Sequence, residues 1–191
     1  MKLMGNIWYH GTLDQGIKQF KTLSHFGNKF SACAAAARHN FLYENNKPRF
    51  LYEVEIKLLD SEILTVLDWG KNDPIALCNT LREYFEPIDK NLEYVFNEIR
   101  LEGFELKKGN QVYKDLLNDK VSKELSKMGY KALSYLNDVE RENSDEISLC
   151  VIDTSIISIQ NISSFTPEEN NEATAFIQNL YKRITTIVRK N

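Results

Sequence analysis

His10 is one of only three histidines in this chain of 191 residues, and in "NIWYHGTLDQ" it stands between an aromatic pair and a glycine. An imidazole there is a titratable group that could take part in binding or proton transfer. A histidine at a strand end that only hydrogen-bonds the backbone is the alternative. A second cluster, "SHFGNKFSACAAAA", sets Phe26 and Phe30 on either side of a glycine turn, where an aromatic face could stack on a planar ring or simply join the core. Glu140 lies in a third cluster, a loop shared with Asp138, Glu142, Asp145 and Glu146, whose default is a set of solvated carboxylates. The charged C-terminal stretch is the fourth. No CxxC or HxxxH spacing offers zinc a ligand set, so no metal is expected.

The elements that would position these residues can be read from periodicity. "IWYHGT" reads as a short strand. The small residues of "SACAAAARHNFLYENN" predict a close-packing helix, with Ser31 as its N-cap. In "RFLYEVEIKL" the residues Phe50, Tyr52, Val54, Ile56 and Leu58 alternate with more polar ones, the period of a half-buried strand. "EILTVLDW" adds a strand, and Asp73 before Pro74 opens a helix over "PIALCNTLREYF". Two more helices are expected around "NLEYVFNEIRLEG" and "NQVYKDLLNDKVSKELSKMG". The second has Val112, Leu116, Val121, Leu125 and Met128 on one face and Gly129 as its terminator. "YKALSYL" and "EISLCVID" read as strands flanking the acidic loop, the latter apolar on both faces. Thr166, Pro167 and Glu169 form a capping box ahead of the last helix, about 166–190, whose Phe176, Leu180, Ile184, Ile187 and Val188 fall near one face. That face would pack on its own domain or fill a partner's groove.

Strands at both ends with helices between them predict an α+β fold over a single domain, 1–191, with a helical insertion about 73–128. The 42 % hydrophobic and 27 % charged content is that of a globular chain, and the net charge of -3 gives no broad electrostatic case for nucleic acid. Cys33, Cys78 and Cys150 are widely spaced and odd in number, which reads as reduced core thiols. No apolar run is long enough for a bilayer or matches a signal peptide, so a cytoplasmic protein is expected, or one delivered into a host cell without a Sec-type signal.

Taken in order, the strand with Tyr-His-Gly-Thr, the aromatic and glycine segment before a small-residue helix, and "MGYKALSYLNDVERENSDEISLCVIDTSIISI" resemble the ADP-ribosyltransferase superfamily. The resemblance is to its histidine-first branch, that of diphtheria-like toxins and poly(ADP-ribose) polymerases, and within it to the small bacterial and phage members. It rests on Gly129 and Tyr130, on Asn137 and Glu140 in Asn-x-x-Glu, and on "SLCVID" with Asp153 and Ile156. It covers about residues 7 to 60 and 128 to 160.

The resemblance implies a split β-sheet core with inserted helices and a transferase that moves ADP-ribose from NAD to a macromolecule, releasing nicotinamide. The expected acceptor is a protein side chain, with nucleic acid still open as acceptor, plain NAD hydrolysis as a variant, and a toxin, effector or phage factor as the setting. It also implies roles. His10 would hold a ribose hydroxyl, Gly11 would grip the nicotinamide amide, Thr12 would lie beside them, and Glu140 would be the catalytic glutamate. Two departures leave alternatives open: alanines stand where the family carries a stacking aromatic, so Phe26 or Phe30 would have to serve, and Glu146 competes with Glu140. A catalytically inactive relative that binds a protein partner through its surface is the contrasting expectation.

Overall fold

The most strictly alternating segment, Phe50–Ile56, is β3, the middle strand of a three-stranded antiparallel sheet between β1 (Ile7–Thr12) and β7 (Ile157–Ser164). The computed structural model describes residues 7–43, 47–70, 72–107, 112–137, 139–140 and 146–188. Asp138, Glu142, Asp145 and the side chains of Ile184, Ile187 and Val188 lie outside them. Alternation puts Tyr52, Val54 and Ile56 on one face of this sheet and Leu51 on the other.

A second sheet has the order β2-β6-β5-β4, from Ser24–Phe26, Ile147–Val151, Ala132–Leu136 and Ile63–Thr65. Its one parallel pair, β4 with β5, needs a long crossover. That crossover is the helical insertion: α2 (Pro74–Phe85), α3 (Lys90–Lys107) and α4 (Tyr113–Lys127). The fold is α+β, as expected.

Apolar faces of the two sheets meet in a core holding Phe26, Tyr52, Val54, Ile56, Leu149 and Val151. The insertion covers the outer face of the second sheet, where Leu133, Tyr135 and Cys150 meet Leu81, Phe96 and Leu117. The outer face of the first sheet is covered by α1 (Lys29–Leu42), which packs in turn on α5 (Pro167–Val188). Ala32, Cys33, Ala34, Ala36 and Ala37 are all buried, so the small-residue helix does fit closely. α5 lays Ala173, Phe176 and Ile177 against α1, packing on its own chain.

Several expectations need correction. The N-cap of α1 is Asn28, whose side chain accepts from the Ser31 amide at 2.7 Å, so the helix starts before Ser31. The inward stripe of α4 is Tyr113, Leu117, Val121 and Leu125, while Val112 and Leu116 are exposed. Strand β7 follows the predicted β6 almost at once, and β2 is a strand at the aromatic and glycine turn, where none was expected. The capping box holds: the Glu169 amide donates to Thr166 Oγ1 and the Thr166 amide to Glu169 Oε2.

Candidate functional site

Alternation along β1 sends the His10 side chain into the space between the sheets and Gly11 the other way, toward α1. The His10 ring meets Phe20 edge-on, with centroids 5.1 Å apart, and Phe26 at 5.5 Å. Its Nδ1 lies 2.8 Å from the carbonyl of His25. A carbonyl only accepts, so Nδ1 carries the proton and Nε2 is left as an acceptor. Burial holds the His10 pKa below the ordinary histidine value, against an opposing pull from that carbonyl. The ring is therefore neutral near pH 7, with Nε2 able to accept from a hydroxyl.

Gly11 is glycine for a reason the sequence does not disclose. A Cβ there would stand 1.8 Å from the carbonyl oxygen of Ala32 and 3.2 Å from the Ala36 Cβ, so α1 occupies that space. Two residues earlier, Tyr9 exchanges both backbone hydrogen bonds with Gly27, at 2.9 and 3.0 Å, which joins β1 to the end of β2. Polar backbone groups repeat every second residue on a strand edge, so the amide and carbonyl of Gly11 point away from β3, on the edge used by Tyr9. Thr12 Oγ1 accepts from the Asp14 amide at 3.2 Å and shapes the chain's exit from the strand.

Both candidate carboxylates return to α1. Ser31 and Arg38 are two turns apart on one face of the helix. Ser31 Oγ donates to Glu146 Oε2 at 3.3 Å, and Arg38 Nη1 to Glu140 Oε1 at 2.6 Å. Glu140 itself is placed by Asn137, whose Oδ1 accepts from the amides of Val139 at 3.1 Å and Glu140 at 2.9 Å. Ser31 also packs on Gly27, which sets its partner Glu146 beside the β1–β2 junction.

The two aromatic candidates part company. Phe26 is beside His10 but only 1 % exposed, packed under Phe20. Phe30 stands against Phe176 of α5 with ring centroids 5.1 Å apart. Sequence reasoning missed Phe20, which covers His10 from a connection of no regular period. It also missed Arg38, for which a basic residue in an alanine helix gave no signal. The connection bearing Phe20 is pinned at Tyr52, whose hydroxyl accepts from the Ile17 amide at 3.0 Å and donates to the Asp14 carbonyl at 3.2 Å.

A surface cavity of about 570 Å³ lies elsewhere, among Ser122, Lys123, Ser126, Tyr130, Lys131 and Asp153, with neither His10 nor either carboxylate in its wall. Among the described residues no group of acidic, histidine or cysteine side chains is arranged to hold a metal, and no helix is long and apolar enough to cross a membrane. No family model, curated protein or solved structure matches the chain.

Proposed function

We propose that this protein is an NAD-dependent ADP-ribosyltransferase acting on a macromolecule, with a protein side chain as the first candidate acceptor. The observation that carries the reading is the convergence on α1, which touches Gly11 through Ala32, Glu146 through Ser31 and Glu140 through Arg38. Three features separated by up to 135 positions in sequence are thereby gathered around one helix and the end of one strand. An ADP-ribosyltransferase-like split sheet is the finer description of the fold that goes with this reading.

The chemistry asks for those groups. As the bond between ribose and nicotinamide breaks, its electron pair leaves with nicotinamide and positive charge develops on the ribose, as in glycoside hydrolysis. A carboxylate near that carbon stabilises the charge and takes the proton that the acceptor loses on attack. The bare Nε2 of His10 holds a ribose hydroxyl, and the outward amide and carbonyl of Gly11 complement a carboxamide. For the dinucleotide to reach His10, Phe20 must withdraw from its ring.

That last requirement favours one second reading, a non-catalytic binding module. In it the Phe20 cover and the Arg38–Glu140 pair are permanent. Incubation with NAD and a cell lysate, followed by measurement of free nicotinamide and of mass added to protein, decides between them. Both signals are expected, and both vanish in His10→Ala. Loss in Glu140→Ala but not Glu146→Ala assigns the carboxylate to Glu140, and the reverse assigns it to Glu146. A wild type that neither binds NAD nor releases nicotinamide leaves the binding module standing.

A further inference from the structure

The second histidine of the chain, His25, lies on β2 on the face away from His10, against Trp69, Tyr135 and Cys150. Its hydrogen bonds run in a single direction. Cys150 Sγ donates to the Leu23 carbonyl at 3.4 Å, leaving the sulfur lone pairs toward His25 Nε2 at 3.9 Å. Nε2 therefore carries the ring proton, and Nδ1 accepts from the Tyr135 hydroxyl at 2.7 Å. Ser148 stands directly opposite Tyr135 in the pairing of β5 with β6. Ser148 Oγ in turn accepts from Asn137 Nδ2 at 3.3 Å. Asn137 is the residue that caps the turn placing Glu140, and the His25 carbonyl is the group that holds His10.

We propose that this series, Asn137 to Ser148 by a hydrogen bond, Ser148 to Tyr135 across the strand pair and Tyr135 to His25 by a hydrogen bond, ties the Glu140 turn to His10, and that His25 and Tyr135 are positioning residues for the site. Its functional meaning rests on the transferase reading, whereas the linkage is a property of the fold. The fold needs such an anchor. β2 is three residues long and has few ladder bonds to fix its peptide planes. Just before it, Leu23 holds a positive φ of 61°, which a branched side chain keeps only when its surroundings impose it. A ring clamped from two sides sets the plane of the His25 peptide, and so the direction in which its carbonyl meets His10. Burial, which holds His25 to a pKa of about 4, keeps the clamp neutral at physiological pH.

The test is nuclear magnetic resonance of the full chain with histidine ring nitrogens labelled, where three histidines give resolvable signals. In the wild type His10 shows one tautomer, protonated at Nδ1. Tyr135→Phe removes the donor to His25 and is expected to turn His10 into a tautomer mixture. Ser148→Ala cuts the chain one step earlier and is expected to move the His25 ring signals together with the Glu140 amide. The control is Ser134→Ala, which removes a neighbouring buried hydroxyl paired with Thr65 at 2.8 Å and leaves the His10 signals in place. On turnover, Tyr135→Phe is expected to lower kcat for nicotinamide release about tenfold with KM for NAD nearly unchanged, the mark of misplaced groups rather than lost binding. Unchanged His10 signals in Tyr135→Phe, or unchanged His25 ring signals in Ser148→Ala, overturn the linkage, and Ser148→Ala decides alone if Tyr135→Phe does not fold. An inactive wild type overturns the transferase reading only, because the ring signals still judge the linkage.

Discussion

Arg38 Nη1 meets Glu140 Oε1 at 2.6 Å, with the two side chains only 27 % and 13 % exposed. Tyr181 on α5 lies close enough to act on the same guanidinium, so one cation faces both the carboxylate turn and the C-terminal helix. Pairs this enclosed lie between exposed ion pairs, worth little, and buried ones whose disruption strands a charge. Glu140→Gln is therefore expected to cost about 1–3 kcal/mol in urea unfolding. The Arg38→Met/Glu140→Met double variant should recover part of that loss. A cost within about 0.5 kcal/mol for Glu140→Gln would mean that the pair holds nothing together.

Gly11→Ala tests the closeness of β1 and α1. The new methyl would collide with the Ala32 carbonyl, which is backbone and cannot rotate away, so the strand or the helix must shift. A loss of at least about 3 kcal/mol is expected from thermal unfolding. Adding Ala36→Gly should not restore it, because Ala36 is the looser of the two contacts. A near-neutral Gly11→Ala would sink the packing account and leave the glycine to a ligand.

The rotated face of α4 gives a paired prediction. Leu117 is fully buried against the insertion's core, whereas Leu116 is 43 % exposed. Leu117→Ala is expected to cost about 2–5 kcal/mol and Leu116→Ala under about 1 kcal/mol. Equal costs would restore the face read from the sequence. That face failed because Leu116 and Leu117 are both leucine, and a stripe at spacing 3.6 can be drawn through either.

What the sequence disclosed follows the same logic. Alternation in β3 and the caps at Asp73 and Thr166 are local signals, and all three appear in the structure. β7 was hidden because the register shifts at its pairing with Glu53 and Val54. Ile157 and Ile159 keep a period of two, and Ile162 then falls one residue late. β2 was hidden by its length. At the site, the types of His10, Gly11 and the carboxylates were visible, but the partners that fix them were not. The His25 carbonyl, the Ala32 backbone and the Arg38 guanidinium act on residues far away in sequence, and no periodicity carries that information.

The pH dependence of stability isolates His25. Burial lowers its folded pKa to about 4, with a smaller push from His10, against about 6.5 in the unfolded chain. Between those values the unfolded state binds the proton and the folded state does not. A depressed folded pKa therefore contributes nothing adverse above pH 6.5, and stability falls as the pH drops from there toward 4. His25 alone accounts for at most about 3 kcal/mol of that fall. His10 is lowered in the same direction, so it adds to the slope with the same sign. Carboxylates titrate mainly below pH 5, which leaves the interval from 5 to 6.5 to the histidines. His25→Asn keeps an acceptor for the Tyr135 hydroxyl but has no proton to gain. Denaturant unfolding across that interval should show a steep slope in the wild type and a much shallower one in His25→Asn, with the two stabilities converging as the pH falls. Identical slopes would mean that His25 is charged in the folded protein, and the direction of hydrogen bonds from Tyr135 to Cys150 would have to be reversed.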